Sequence, residues 1–117
     1  MIAEPRRTGL IGEMRAAQYL RRKGYSIWAA NYRTKAGEID IIAMDGDTLC
    51  FVEVKTRREG GYFPPSEAVD YKKEENVKSA AASYISAAKL NATARFDVIE
   101  VILREDTYSV RHIKNAF

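Results

Sequence analysis

The chain has 117 residues, 46% of them apolar and 30% charged, which suits one folded domain with a single core and excludes a disordered or fibrous chain. Its formal charge of +3 and pI near 9.0 are compatible with a polyanionic partner without requiring one. One cysteine, Cys50, excludes an internal disulfide. No stretch reaches transmembrane length or resembles a signal peptide, so a cytoplasmic protein with no membrane partner and a single domain over residues 1–117 is expected.

Thr8 is placed to cap a first helix that runs to about Lys23 and stops at Gly24. Leu10, Met14, Ala17 and Leu20 follow the 3.6-residue period and predict its buried stripe. Glu13 lies beside that stripe near the helix N-terminus, where the dipole alone is a sufficient reason for a carboxylate. Arg21, Arg22 and Lys23 close the helix where the dipole favours cations, and phosphate contact is their second reading. Tyr25 to Arg33 reads as a strand around Ile27 and Trp28, leading into the basic turn Asn31-Tyr32-Arg33-Thr34-Lys35-Ala36-Gly37. Arg33 and Lys35 there are either solvated or set to meet phosphates.

Gly37 to Arg58 holds two β-branched runs on either side of Asp45-Gly46, a pair that favours a two-residue hairpin turn. That turn sets Ile42 opposite Leu49, Asp40 opposite Phe51 and Glu38 opposite Glu53. Alternation then gathers Glu38, Asp40, Glu53 and Lys55 on one face, with Ile39, Ile41, Val52 and Val54 on the other. Cys50 falls with Val52 on the apolar face, the place of an inert packing residue. Three carboxylates on one patch repel one another and are costly to bury, so they call for counter-charge. Lys55 supplies one positive charge and a divalent cation with oxygen ligands would supply the rest. The alternative is a solvated sheet end where these acids balance Arg33, Lys35, Arg57 and Arg58.

Glu59 to Pro65, with two glycines and two prolines, reads as a loop, and its Tyr62 and Phe63 either pack it down or stack on unpaired bases. Ser66-Glu67 opens a second helix, strongly periodic from about Asp70 to Lys89, with Val77, Ala81, Tyr84, Ile85 and Ala88 as its stripe. Lys73 lies one turn before Val77, directed to the core edge, the position of a snorkelling lysine. Arg95 to Leu103 and Thr107 to Ile113 are two further strands. The first is almost continuously apolar and so covered on both faces, with Asp97 as an isolated structural carboxylate. His112, the only histidine, has no second ligand in a metal-binding spacing.

Asp40 followed by Glu53-Val54-Lys55 resembles the D…E-x-K signature of the PD-(D/E)xK nuclease superfamily. Gly12-Glu13, Asn31-Tyr32-Arg33, Gly37-Glu38-Ile39-Asp40, Phe51 to Arg57, Arg95-Phe96-Asp97-Val98 and Asn115-Ala116-Phe117 resemble, more narrowly, the YraN-like family of small bacterial proteins, related to archaeal Holliday-junction resolvases. The superfamily's Pro-Asp pair reads Ile39-Asp40 here.

The order helix, three strands, helix, two strands gives an α/β sandwich with a mixed central sheet, and the resemblance implies the restriction-endonuclease-like form of it, αβββαββ, with a metal site where the sheet splays open. It also implies a Mg²⁺- or Mn²⁺-dependent endonuclease acting on DNA, including branched or junction DNA, with a homodimer as the assembly; an RNA nuclease is a separate reading, because the same chemistry serves either backbone. Asp40 and Glu53 are then the direct metal ligands, joined by the Val54 carbonyl, and Lys55 positions the attacking water. Glu13 takes the place of the first-helix acid that acts through a water, and Glu38 lies further out. Arg33, Lys35, Arg57, Arg58 and Lys73 are candidates for nucleic-acid contact. The competing reading is a non-catalytic nucleic-acid-binding module that keeps the nuclease fold.

Overall fold

The structure, a computed structural model, describes residues 4–60 and 71–117. Helix α1 (Glu4–Arg22) is followed by strands β1 (Ser26–Arg33), β2 (Glu38–Asp45) and β3 (Thr48–Arg58), helix α2 (Tyr71–Ala88), and strands β4 (Thr93–Leu103) and β5 (Tyr108–Ile113). The five strands form one sheet in sequential order. Every neighbouring pair is antiparallel except β3 and β4, which run parallel. The crossover between those two contains α2, as parallel neighbours require. One core cluster, with Ala16, Leu20, Cys50, Val52, Ile99 and Val101, lies under α1. A second, with Ile42, Leu49, Phe51, Val77, Ala80 and Ala81, lies under α2. The result is the expected α/β sandwich around a mixed sheet.

The first helix starts earlier than Thr8, which lies inside it. Pro5 is compatible with a first turn, where the backbone N–H has no helical partner to lose. Its end is as expected: Gly24 has φ +93°, the Tyr25 N–H donates to Leu20 O and the Gly24 N–H to Arg21 O, each at 3.0 Å, closing a Schellman motif. Tyr25 is thereby spent on that motif, and β1 begins one residue later than expected. The buried line of α1 is Gly12, Ala16 and Leu20, whereas Leu10 and Met14 are 46% and 48% exposed. Small residues govern this face because the helix comes very close to β3: a methyl group on Gly12 would overlap the Thr56 side chain. In α2 the buried residues are Val77, Ala80 and Ala81, with Ala88 exposed. The expected loop residues Tyr62 and Phe63 and the helix opening at Ser66-Glu67 lie outside the described residues.

The hairpin turns on Gly46 and Asp47, with Asp45 already paired to Thr48 and Gly46 at φ +61°. The turn is one residue later than expected, which slides the pairing by two. Ile42 therefore meets Phe51, not Leu49, and the face assignment of β3 survives. That of β2 does not survive throughout: Ile41 belongs to the α1 cluster and Ile39 to the α2 cluster, so alternation breaks at Asp40. β1 is irregular too, with a register shift between Ile27 and Ala29. β4 extends back to Thr93, held by pairing with Thr48, and β5 begins at Tyr108.

Asp97 is fully buried and structural, as expected. Arg95 Nε and Nη2 donate to it at 3.0 Å, His112 Nε2 lies at 2.8 Å, and the Asn115 N–H donates at 3.1 Å. Burial works to raise its carboxyl, but the His112, Arg95 and Asn115 hydrogen bonds together hold it below the usual range. Arg95 also reaches the Tyr25 hydroxyl at 2.8 Å and Asp45 at 3.1 Å, so one network ties the hairpin end, β4, β5 and the C-terminal residues together. Cys50 is fully buried and burial pushes its thiol up to about 11, the behaviour of a packing residue.

Candidate active site

Pairing between β2 and β3 ends at Ile41 and Val52, although β2 runs back to Glu38 and β3 onward to Arg58. Past that rung β2 stays with β1 and β3 stays with β4, so the sheet forks. A fork leaves backbone donors of β3 without a strand partner. Asp40 sits there, and its Oδ2 accepts the Val54 N–H at 2.8 Å, filling the place of the lost ladder bond with a carboxylate. Burial pushes the Asp40 carboxyl up to about 6; Glu13 and Glu53 act in the same direction, while the Val54 N–H and Lys73 pull it partly back.

Glu13 reaches this region from α1. Burial raises its carboxyl, Glu38 adds to the effect, and a hydrogen bond with the Asn31 side chain opposes it. Gly12, next to it, brings this turn of α1 down onto Thr56 of β3. Asn31 has φ +52°, in the left-handed region that non-glycine residues rarely adopt, and lies between the rungs Ala30–Ile41 and Tyr32–Ile39, opposite Asp40. The kink thus affects both strands at the same level.

Glu53 follows Val52 on β3 and faces the α2 side, where the Lys73 Nζ lies 2.6 Å from its Oε1. The Glu53 side chain is 10% exposed and that of Lys73 54% exposed, so the lysine reaches in from solvent to a largely covered carboxylate. Lys55, two residues beyond Glu53, is on the same face of β3 and half-buried. The expected grouping therefore separates by layer: Glu13 approaches from α1, Glu53 faces α2, and Asp40 lies at the fork in electrostatic reach of both. Glu38 is exposed and paired to Arg33 at 3.7 Å. Lys35 is exposed in the turn that Thr34 closes by accepting from the Ala36 and Gly37 N–H groups, Arg57 is half-buried, and Arg58 is exposed at the strand end.

Among the described residues no three His, Cys, Asp or Glu side chains converge closely enough to enclose a metal ion. The charge balance nevertheless suits a cation: Asp40 is a desolvated carboxylate whose acidity is weakened further by two other acids. Asp40, Glu53 and the Val54 carbonyl are all hard oxygen donors, the kind Mg²⁺ takes when water completes its shell. The sequence marks Asn31 only as part of a family motif and as a residue that tolerates the left-handed region, with no sign of its contact to Glu13, and the Lys73–Glu53 pair needed the helix placement.

Among the described residues no helix is long and apolar enough to cross a membrane. Residues 12–101 match the family described as Uncharacterised protein family UPF0102. The chain is 48% identical to a UPF0102 protein of Alkaliphilus oremlandii (strain OhILAs), over 96% of this chain and 98% of that protein. It is 47% identical to one of Alkaliphilus metalliredigens (strain QYMF), over 93% and 96%, and 46% identical to one of Syntrophus aciditrophicus (strain SB), over 95% and 88%. The matched span includes Glu13, Asn31, Asp40, Glu53 and Lys55, and the chain belongs to the UPF0102 family, as its YraN-like motifs implied.

Proposed function

We propose that this protein is a Mg²⁺- or Mn²⁺-dependent endonuclease that hydrolyses phosphodiester bonds of DNA, with branched or junction DNA as the favoured substrate. The observation that carries the reading is the half-buried, desolvated Asp40 carboxylate at the fork of the sheet, with Glu13 and Glu53 in electrostatic reach. A fold maintains such a costly group where its charge is used.

Asp40, Glu53 and the Val54 carbonyl would hold the divalent cation, which would supply positive charge against the phosphate oxygens and make nearby water more acidic. Lys55 orients the attacking water and stabilises the charge that grows on the phosphoryl oxygens. Glu13, its basicity raised by burial, accepts a proton through water, and Asn31 fixes its orientation. Lys73 holds the Glu53 carboxylate in place through their ion pair. Arg33, Lys35, Arg57 and Arg58 serve the nucleic-acid backbone on either side. A homodimer, with a second site for the second strand, and RNA as a further substrate belong to the same proposal.

The Lys73–Glu53 ion pair and the absence of three converging acids among the described residues favour the second reading, a binding module without catalysis. Incubating labelled linear, flapped and four-way DNA with the protein in Mg²⁺, Mn²⁺ or EDTA separates the two. Metal-dependent cleavage that disappears in Asp40→Ala and Lys55→Ala supports the nuclease. Binding without cleavage of any substrate supports the module.

A further inference from the structure

The basic excess of the chain is concentrated at one end. Residues 1–24 contain six basic and two acidic side chains, a larger surplus than the +3 of the whole protein. Elsewhere several of the arginines and lysines are in ion pairs: Arg33 with Glu38, Lys73 with Glu53, Arg104 with Glu59, Arg111 with Glu100, and Arg95 with Asp45 and Asp97. Among the described residues, Arg15, Arg21, Arg22 and Lys23 form no ion pair, and neither do Glu105 and Asp106, the acids just before Tyr108.

These cations are arranged about a tyrosine on the edge strand β5. Arg22 Nη2 donates to the Tyr108 hydroxyl at 2.7 Å, and the Arg15 guanidinium stacks over the Tyr108 ring, 4.5 Å from its centroid. Arg15 Nη1 also donates to Gln18 at 3.1 Å. Two adjoining shallow concavities of about 370 and 360 Å³ share Arg22 and Tyr108 in their walls. The helix dipole accounts for cations in the last turn of α1 but not for Arg15, two turns earlier, nor for the fixing of two guanidiniums on one phenol. A planar guanidinium held in place retains donors for a phosphate's oxygens and loses less entropy on meeting them.

We infer that the face formed by the C-terminal half of α1 and the start of β5, with Arg15, Arg21, Arg22, Lys23 and Tyr108, is a second contact surface for the phosphate backbone of nucleic acid. This rests on the nuclease or binding-module reading and extends it to a surface away from the fork. Arg22 lies nine residues beyond Glu13, roughly 14 Å along the helix axis, which a duplex covers in about four base pairs. A substrate reaching both places is thus held at two points, and a branched one in two directions. The surface positions the backbone without reading bases.

The test is binding of a fluorescein-labelled linear duplex and of a four-way junction, in EDTA, over a series of salt concentrations. Neutralising two phosphates fewer lowers the slope of log affinity against log salt by about 2. Arg15→Ala with Arg22→Ala should therefore flatten the slope, so that the wild type loses about tenfold more affinity than the variant between roughly 50 and 200 mM salt. Arg15→Lys with Arg22→Lys keeps the charges and should restore the slope. If the alanine pair does not fold, Arg21→Ala with Lys23→Ala provides the same reading from two exposed positions. A folded alanine variant with the wild-type slope overturns the assignment and leaves the fork reading standing. A wild type that binds neither DNA overturns both, and points to an acidic protein as the partner of this face.

Discussion

Asp40→Asn removes the charge at the fork while leaving an amide oxygen to accept the Val54 N–H. The folded protein holds the Asp40 carboxyl at about 6, above the usual 3.8, because burial penalises its ionised form. The group therefore favours folding fully below the ordinary value and loses that contribution as pH rises through about 6. The displacement corresponds to about 3 kcal/mol, which partial solvent access reduces to roughly 2 kcal/mol. Without metal, Asp40→Asn should thus be more stable than the wild type by roughly 2 kcal/mol at about pH 8, close to 8 °C in Tm, and nearly equal to it at about pH 4. Urea unfolding in EDTA at the two pH values measures the difference and cancels the other titrating groups. Mg²⁺ should then raise the wild type alone, by about 2.7 kcal/mol at about a hundredfold excess over Kd. A difference between variant and wild type that is the same at both pH values would refute the desolvated carboxylate.

Asn31→Ala puts at φ +52° a residue that tolerates the left-handed region less well than asparagine and loses the hydrogen bond to Glu13, so it should destabilise the fold by about 1–2 kcal/mol, whereas Asn31→Gly should cost less. Chemical denaturation of the two variants separates the backbone from the side chain. Gly12→Ala should cost about 1–3 kcal/mol by pushing α1 off Thr56, and Thr56→Ala added to it should recover part of the loss. Asp97→Asn leaves the largely covered Arg95 without its main counter-charge and should cost about 3 kcal/mol, read as a large drop in Tm.

The hairpin and its acids were legible because parity tolerates the error made at the turn: a slide of two residues leaves Glu53 and Lys55 on one face. The break at Asp40 was not, because Ile39, Ile41 and Ile42 are all apolar and hydrophobicity does not record which cluster each joins. Glu13 could be placed beside a stripe, but of that stripe only Ala17 and Leu20 pack on the core. Leu10 and Met14 outweigh Gly12 and Ala16 in hydrophobicity, whereas close approach to β3 selects for small size. Asp97 was legible as a structural carboxylate from its isolation in an apolar strand, while its partnership with His112, fifteen residues on, required the β4–β5 pairing. Lys73 was directed to the core edge, but only the position of α2 gives it Glu53.

Calorimetric titration of Mn²⁺ into metal-free wild type, Asp40→Asn and Glu53→Gln most directly tests whether the fork of the sheet is a cation site. The prediction is one bound ion per chain for the wild type, with release of protons below about pH 6 as Asp40 ionises, and loss of binding in both folded variants. Binding to Asp40→Asn with wild-type affinity would contradict the assignment of this site and, with it, the proposed chemistry.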